Sequence, residues 1–454
     1  MPRRYSPPEG QIIQAFTFAL DPTPNQRAQI SRFFGARRKA FNWTLDQMKA
    51  DVDRYRETGE SGTPPSFYSL RKRWNAEKDT VCVNTETGEI WWSEVSKEVF
   101  ADGVRGATDA YWRWQQSRAG TIKGRKVGFP RFKKRGKDRD RFSFTTGTMR
   151  LEAERRHLTL PVLGTLRTHE NTRRIERLIA LDRAKILGVT VSRQGERIIA
   201  AVRVAVARPR QAGVAQSDST VGIDVGVRRL ATVATTSEVI GELDNPSALE
   251  HRLSELRRLQ RQRARRTRGS RQYQETAPQI TRRHAEVANL RRHTIHVFTT
   301  NLAKTHGVMV VEGLDAASLL QQKGLSGARS RRRGLSDPAM GEIRRQLRYK
   351  CPWYGSRLIE ADRFFPSSKT CHTCGHVQSI GWFEHWTCEE CNSSHQRDDN
   401  AAINLARWAS LGSVGAPVKR GAEHQTESHS AAGDDTRKGS PALVGPNNSV
   451  RSAA

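Results

Sequence analysis

Val221-Gly-Ile-Asp-Val-Gly226 puts a carboxylate inside an apolar run. Ile223 and Val225 favour a strand, whereas Asp is depleted from strand interiors. A residue that defies its local setting tends to sit at a functional site. Two further acids stand out downstream. Glu312 closes Val308-Met-Val-Val-Glu-Gly313, a short apolar run of the kind buried in parallel sheets. Asp398 opens Arg397-Asp-Asp-Asn-Ala-Ala402, ahead of a helical stretch to Trp408. Three carboxylates make a donor set for a pair of divalent cations in metal-assisted phosphodiester hydrolysis. Each also has a plainer reading: Asp224 as a turn residue between glycines, Glu312 as a strand end in solvent, Asp398 as a helix N-cap. Asp399 competes with Asp398.

The chain has 454 residues and a formal net charge of +30. Its length suggests more than one domain. The cations are spread along most of the chain and favour a polyanion, nucleic acid, over a small acidic metabolite. The bland alternative is a highly solvated surface. No apolar run approaches the ~20 residues of a membrane span. The first ten residues carry cations but no apolar core behind them, so no secretory signal is expected. Six cysteines in a chain this long do not form a disulfide framework. A reduced, cytoplasmic protein is expected.

Four of those cysteines cluster as Cys371-x2-Cys374 and Cys388-x2-Cys391, with 13 residues between the pairs. Each pair suits a knuckle that points two thiolates at one ion, and two knuckles complete a tetrahedral zinc site. Four thiolates leave no open coordination position, so one structural Zn2+ is expected rather than a catalytic one. His372, His376 and His385 are surplus to the ligand count. Cys82 and Cys351 stand alone and read as ordinary thiols.

Around these motifs, Gln11–Leu20 reads as a strand and Thr23-Pro24 as a helix start. Residues 21–118 are mainly helical, with helices expected over Tyr68–Trp74 and Ser93–Trp114. Their aromatics Trp91, Trp92, Tyr111, Trp112 and Trp114 read as core before base-stacking groups. Lys123–Lys134 mixes cations, glycines and aromatics in a way that suits a phosphate backbone and exposed bases. Strands at Phe142–Phe144, His157–Leu160, Ile186–Val191 and Ile198–Val206 suggest an antiparallel barrel completed by the first strand. Leu230–Thr235 and Arg357–Phe365 read as further strands. A basic helical hairpin occupies 247–306, with a Leu249, Leu253, Leu256, Leu259 stripe and a face of Arg257, Arg258, Arg261, Arg263, Arg265, Arg266 and Arg268. Gly269, Ser270 and Pro278 are expected to break it. Gln321–Gly334 reads as a basic mobile loop, and Asp337-Pro338 as the start of another helix.

Gly222-Ile-Asp-Val-Gly-Val-Arg-Arg-Leu-Ala231, Val311-Glu-Gly-Leu314, Asp362–Gly375 and His395–Leu405 together resemble the TnpB family of insertion-sequence proteins, relatives of type V CRISPR effectors. The stretches 18–26 and 123–133 are similar to the same family, so the likeness spans nearly all but the tail. The resemblance implies an RNA-guided DNA endonuclease, with a guide RNA from the transposon end and double-stranded target DNA as partners. It implies a multidomain α+β fold: residues 1–20 as first strand of a wedge β-barrel, 21–119 a helical recognition lobe, 120–210 the wedge barrel, and 217–365 a RuvC-like, RNase H-fold nuclease domain. A zinc ribbon at 366–394, a last RuvC segment at 395–412 and a disordered tail at 413–454 follow. It further implies two Mg2+, with Asp224 bridging both and Glu312 and Asp398 holding one each. The family pattern Arg-Asp-x-Asn selects Asp398 over Asp399, and Asn400 then orients the acid or caps the helix. Three other functions fit the same motifs: a guided DNA-binding regulator without cleavage, a strand-joining transposase and a compact type V effector. The intact acids oppose the first.

Overall fold

The computed structural model describes residues 6–8, 10–59, 66–122, 124, 126–145, 149–207, 216–226, 229–244, 247–313, 339–362, 364–381 and 383–411. The tail at 413–454, the stretch 321–334 and the helix start at Asp337-Pro338 lie outside these residues. Two compact units divide the chain after Ala207.

In the first unit, strand β1 (Gln11–Asp21) leads into helix α1 (Pro24–Thr58). Thr23 and Gln26 cap α1 reciprocally, each side chain accepting from the other's backbone N–H. Gly59, at φ 69°, ends it in the left-handed conformation. Ser66 caps α2 (Phe67–Val81) and Ser96 caps α3 (Lys97–Arg118). The helix expected from Ser93 thus begins later, after a 3-10 turn at Trp92–Glu94. Helices α1 and α3 meet at Gly103, where a Cβ would stand 2.5 Å from the Arg37 carbonyl oxygen. Tyr111 and Trp114 are buried, and Trp91, Trp92 and Trp112 pack half-buried on the same core.

Strands β2 (Arg141–Phe144), β3 (Arg150–Leu151), β4 (His157–Leu160), β5 (Gly164–Thr168), β6 (Ala184–Gln194) and β7 (Arg197–Ala207) join β1 in an antiparallel sheet of order β2-β6-β7-β1-β5-β4-β3. The first strand pairs with β7 from Gln11–Ala207 to Leu20–Ile198, then reaches β5 at Leu20–Thr168. Its place in mid-sheet follows from alternating apolar residues that find partners on both sides. The order ends on β2 and β3, which are not paired with each other among the described residues. Phe33 and Phe34 of α1 close on Phe142 at ring separations of 5.3 Å. The sequence reading passes over β3, β5 and a short helix α4 (Arg173–Ala180); in β5 only Leu166 is apolar. In the basic stretch 123–134, Phe129 turns inward onto Trp114, with ring centroids 4.9 Å apart, and is core rather than a base platform. Phe132 remains exposed.

The second unit is built on a mixed sheet of β8 (Gln216–Asp224), β9 (Ala231–Ala234), β10 (Val239–Leu243), β11 (His306–Glu312) and β12 (Arg357–Ala361), in the order β10-β9-β8-β11-β12. β9 is antiparallel to both β8 and β10, while β11 runs parallel to both β8 and β12. Strand alternation sorts the faces. Val221, Ile223, Met309 and Val311 pack with residues of α6 (Arg271–Thr305) and α7 (Ala339–Tyr354). Val310 and Ala361 pack with Leu405 of α8 (Arg397–Leu411).

The basic hairpin is α5 (Ser247–Ala264) followed by α6, but the break comes only before Ser270, which caps α6. Pro278 lies inside α6. A mid-helix proline costs roughly 3 kcal/mol; buried Thr276, Ile280 and Val287, on a helix packed against α5, offset it. Arg257, Arg258, Arg261, Arg265 and Arg268 are exposed, whereas Arg266 donates to the Gln272 carbonyl at 2.6 Å and Arg263 lies over Tyr273, closing the turn. β12 stops short of the expected Phe365. The Asp362 carboxylate accepts from the Phe364 N–H at 2.8 Å, a local bond that turns the chain out of the strand. No helix among the described residues is long and apolar enough to cross a membrane.

α8 sits directly on β8. A Cβ on Gly222 would collide with the carbonyl oxygen of Ala402 and the backbone nitrogen of Ala406. Gly222→Ala therefore has to displace helix or strand, at about 1–3 kcal/mol. Gly241→Ala, where a Cβ meets nothing within 4 Å, is the control. Thermal melts should show a lowered midpoint for the first variant and little change for the second.

Candidate active site and metal centre

β8 and β11 pair in parallel, with Val310 beside Gly222 and Val311 beside Ile223. Asp224 and Glu312 each follow that last pair by one residue, so their carboxylates leave neighbouring strands at one level. Asp398 arrives from the other direction, in the first turn of α8, where the aligned peptide dipoles favour an anion. A Cβ on Gly226 would lie 3.6 Å from Asp398 Oδ2, so this carboxylate borders the end of β8.

Asp399 has different company. Arg229 Nη1 donates to Asp399 Oδ1 at 3.3 Å and to Glu242 Oε1 at 2.6 Å. The Asp399 N–H donates to Gln396 Oε1 at 2.7 Å. One step along a helix turns the side chain by about 100°, enough to give consecutive acids separate partners.

Burial holds the Asp224 carboxyl well above the usual carboxylate range, and the negative fields of Asp398 and then Glu312 push it the same way. Burial also raises Glu312. The cationic Arg397 opposes both shifts. Asp399 is raised by burial against the pull of Arg229. Carboxylates that suppress each other's ionisation form a donor set that a hard cation completes, and all-oxygen ligation suits Mg2+. The sequence reading quotes Arg397 and Arg229 within its motifs but gives neither a role, because that role depends on which acids the fold brings near.

The four clustered cysteines hold their Sγ atoms within 4.8 Å of one another. Cys371 and Cys391 are 3.6 Å apart, as are Cys374 and Cys388. Tetrahedral ligation at ~2.3 Å places sulfurs roughly 3.8 Å apart, so the cluster fits one zinc. The two knuckles share one local form. The Gly375 N–H donates to the Cys371 carbonyl at 2.9 Å, and the Asn392 N–H to the Cys388 carbonyl at 3.0 Å. Gly375 (φ 81°) and Asn392 (φ 56°) both adopt the left-handed conformation that these residue types tolerate. Strands β13 (His385–Thr387) and β14 (Ser394–Gln396) flank the second knuckle. His395, which the sequence reading quotes only as the start of a family motif and gives no role, is buried with Nε2 3.1 Å from Cys371 Sγ. Cys82 and Cys351 lie outside the cluster; burial pushes each thiol up to about 11.

Three family models match the chain. One described as "Probable transposase", of the OrfB IS605 type, covers residues 201–323, and "Cas12f1-like, TNB domain" covers 341–405. A "Helix-turn-helix domain" model of the same OrfB type covers 12–59, which here forms β1 and the single long helix α1. The Mycobacterium tuberculosis protein named "Putative RNA-guided DNA endonuclease Rv2885c" is 57% identical over 99% of this chain and 100% of its own. The chain belongs to the TnpB family. A second TnpB-type relative, "Putative RNA-guided DNA endonuclease InsQ" of Escherichia coli, is 29% identical over 87% of this chain and 91% of its own. A solved Cas12f1–sgRNA–target DNA complex aligns over 88% of this chain and 99% of its own, at 12% identity and a TM-score of 0.46.

Two measurements probe the site. Elemental analysis of the full chain should find one zinc per molecule, and Cys388→Ser, which removes a buried ligand, should lose it. The raised Asp224 carboxyl also gives a pH signature. Its contribution to stability is fully present below the unfolded carboxylate value of about 3.9 and is lost as pH rises through the higher folded value. In Mg2+-free buffer, Asp224→Asn should raise the melting midpoint at neutral pH and do so less near pH 4, where the wild-type carboxyl keeps its proton.

Proposed function

We propose that this protein is an RNA-guided DNA endonuclease of a transposable element, hydrolysing target DNA beside a short adjacent motif, with a guide RNA made from the element's end. The observation that carries this reading is the convergence of Asp224, Glu312 and Asp398 from two adjacent strands and a helix start, in a chain of net charge +30. The names of its relatives support the RNA-guided activity. The strand order β10-β9-β8-β11-β12 supports a RuvC-like, RNase H-type nuclease domain over 217–365, completed by 395–412. On this reading the helices of 21–119 form the recognition lobe, the antiparallel sheet of β1 and 120–210 the RNA-gripping wedge, and 366–394 a zinc ribbon for target loading.

Asp224 would hold both of two Mg2+ ions, with Glu312 and Asp398 holding one each. When bound, the ions supply an activated water and stabilise the leaving 3′-oxygen during in-line displacement. The residues' own contribution is a converging set of carboxyl donors in a site that resists ionisation. Asp224 keeps its proton while its neighbours are uncompensated, so metal binding and proton release go together. Arg397 limits that penalty for Asp224 and Glu312. The exposed arginines of α5 offer a sequence-independent grip on phosphates.

The test is cleavage of a guide-matched plasmid by the purified ribonucleoprotein in Mg2+. Asp224→Ala, Glu312→Ala and Asp398→Ala should each lose about 100-fold or more in rate, whereas Asp399→Asn should still cut. Wild-type protein that binds matched DNA but cuts with no divalent metal would instead be a guided regulator. Strand-transfer products formed without RNA would make it a transposase.

A further inference from the structure

α8 bonds in two directions. Through Gly222 it rests on β8. Through Asn400, Asn404 and Arg407, spaced as one helix face, it grips the backbone of 367–372, the segment that runs into the first knuckle. Asn400 Nδ2 donates to the carbonyls of Ser367 at 3.3 Å and Thr370 at 2.8 Å. Its Oδ1 accepts from the His372 N–H at 2.9 Å and lies 3.0 Å from His372 Nδ1. Asn404 Nδ2 donates to the same two carbonyls, at 2.8 Å and 2.6 Å. Arg407 Nη1 donates to the His372 carbonyl. Both asparagines are buried, so an unmade bond has no water to replace it. The Asn400 amide is spent on this segment, so any influence on Asp398 passes through the helix rather than through a bond to the acid.

The segment 367–372 is itself neither strand nor helix, apart from a single antiparallel bridge of Thr370 with Val377. Turn bonds from the Lys369 and Thr370 N–H groups to the Pro366 carbonyl start it, and the Cys371 N–H donates to the His376 carbonyl within the knuckle. Its shape at Cys371 is therefore set by the cysteine site. We propose that Asn400 and Asn404 are positioning residues that transmit the shape of the zinc ribbon to Asp398. The closed cysteine site holds the loop, the loop holds the first turn of α8, and that turn sets Asp398 beside the end of β8. Outer-shell partners of this kind govern metal affinity without touching the metal. The inference rests on the reading of Asp398 as a ligand of the catalytic cation.

Mn2+ titration of the full-length, zinc-loaded chain, followed by electron paramagnetic resonance, tests it. Asn400→Ala/Asn404→Ala should retain one zinc yet bind Mn2+ about 10- to 100-fold more weakly. Adding Asp398→Asn should weaken it no further, because both changes remove the same ligand. Asn404→Ser, a smaller perturbation, should move the affinity the same way with a melting midpoint near wild type. Unchanged Mn2+ affinity in the asparagine variants, alongside weaker binding in Asp398→Asn, overturns the proposal. So does a loss that adds fully to that of Asp398→Asn, the mark of general loosening. Unchanged affinity in Asp398→Asn itself overturns the reading of that acid and takes the proposal with it.

Discussion

Helix α8 lies backbone to backbone on strand β8 at Gly222, and the candidate site follows from that contact. Gly222 and Asp224 are two residues apart and so share the face of the sheet that α8 covers. Val310 and Glu312 share the corresponding face of β11, where Val310 packs with Leu405 of the same helix. The absence of a side chain at residue 222 lets the helix come close enough for its first turn to bring Asp398 to the end of β8. The opposite face of the sheet is filled by α6 and α7, so the sheet is pinned from both sides at the level of the acids.

The electrostatics run against the chain's own composition. With 77 Lys and Arg against 47 Asp and Glu, the chain has cations enough to pair every acid. Arg229 does this for Asp399 and Glu242. At Asp224 the field comes mainly from other carboxylates, and Arg397 compensates only in part. Stability is sacrificed locally where these acids converge, the pattern seen when a rule of good packing is broken at a functional site. The four-cysteine cluster is the opposite case: four sulfurs that suit one closed metal site, and hydrogen bonds that link its leading segment through Asn400 and Asn404 to α8.

Much of this was legible in the chain because it is local. The strands of Asp224 and Glu312 announce themselves by apolar runs, and two Cys-x2-Cys pairs announce knuckles by spacing alone. The Leu stripe of α5 predicts the hairpin. What was not legible depends on partners far away in sequence. β5 has one apolar residue and exists because β1 and β4 pair with it. Pro278 reads as a break, yet α6 runs through it because buried neighbours hold both sides. Phe129 sits in a run of cations that suggests exposure, but Trp114 and Tyr111 leave an apolar seat for it.

The sequence by itself determined the element types around the site, the four clustered cysteines and the acids worth considering, since residue type and spacing govern strand, helix and knuckle formation over a few residues. It left Asp398 and Asp399 to be separated by family likeness. Only the tertiary structure gave that separation a physical cause: Asp398 borders β8 while Asp399 is held by Arg229. It also decided the suppressed ionisation of Asp224, because burial and like-charge fields depend on distances that no local pattern encodes.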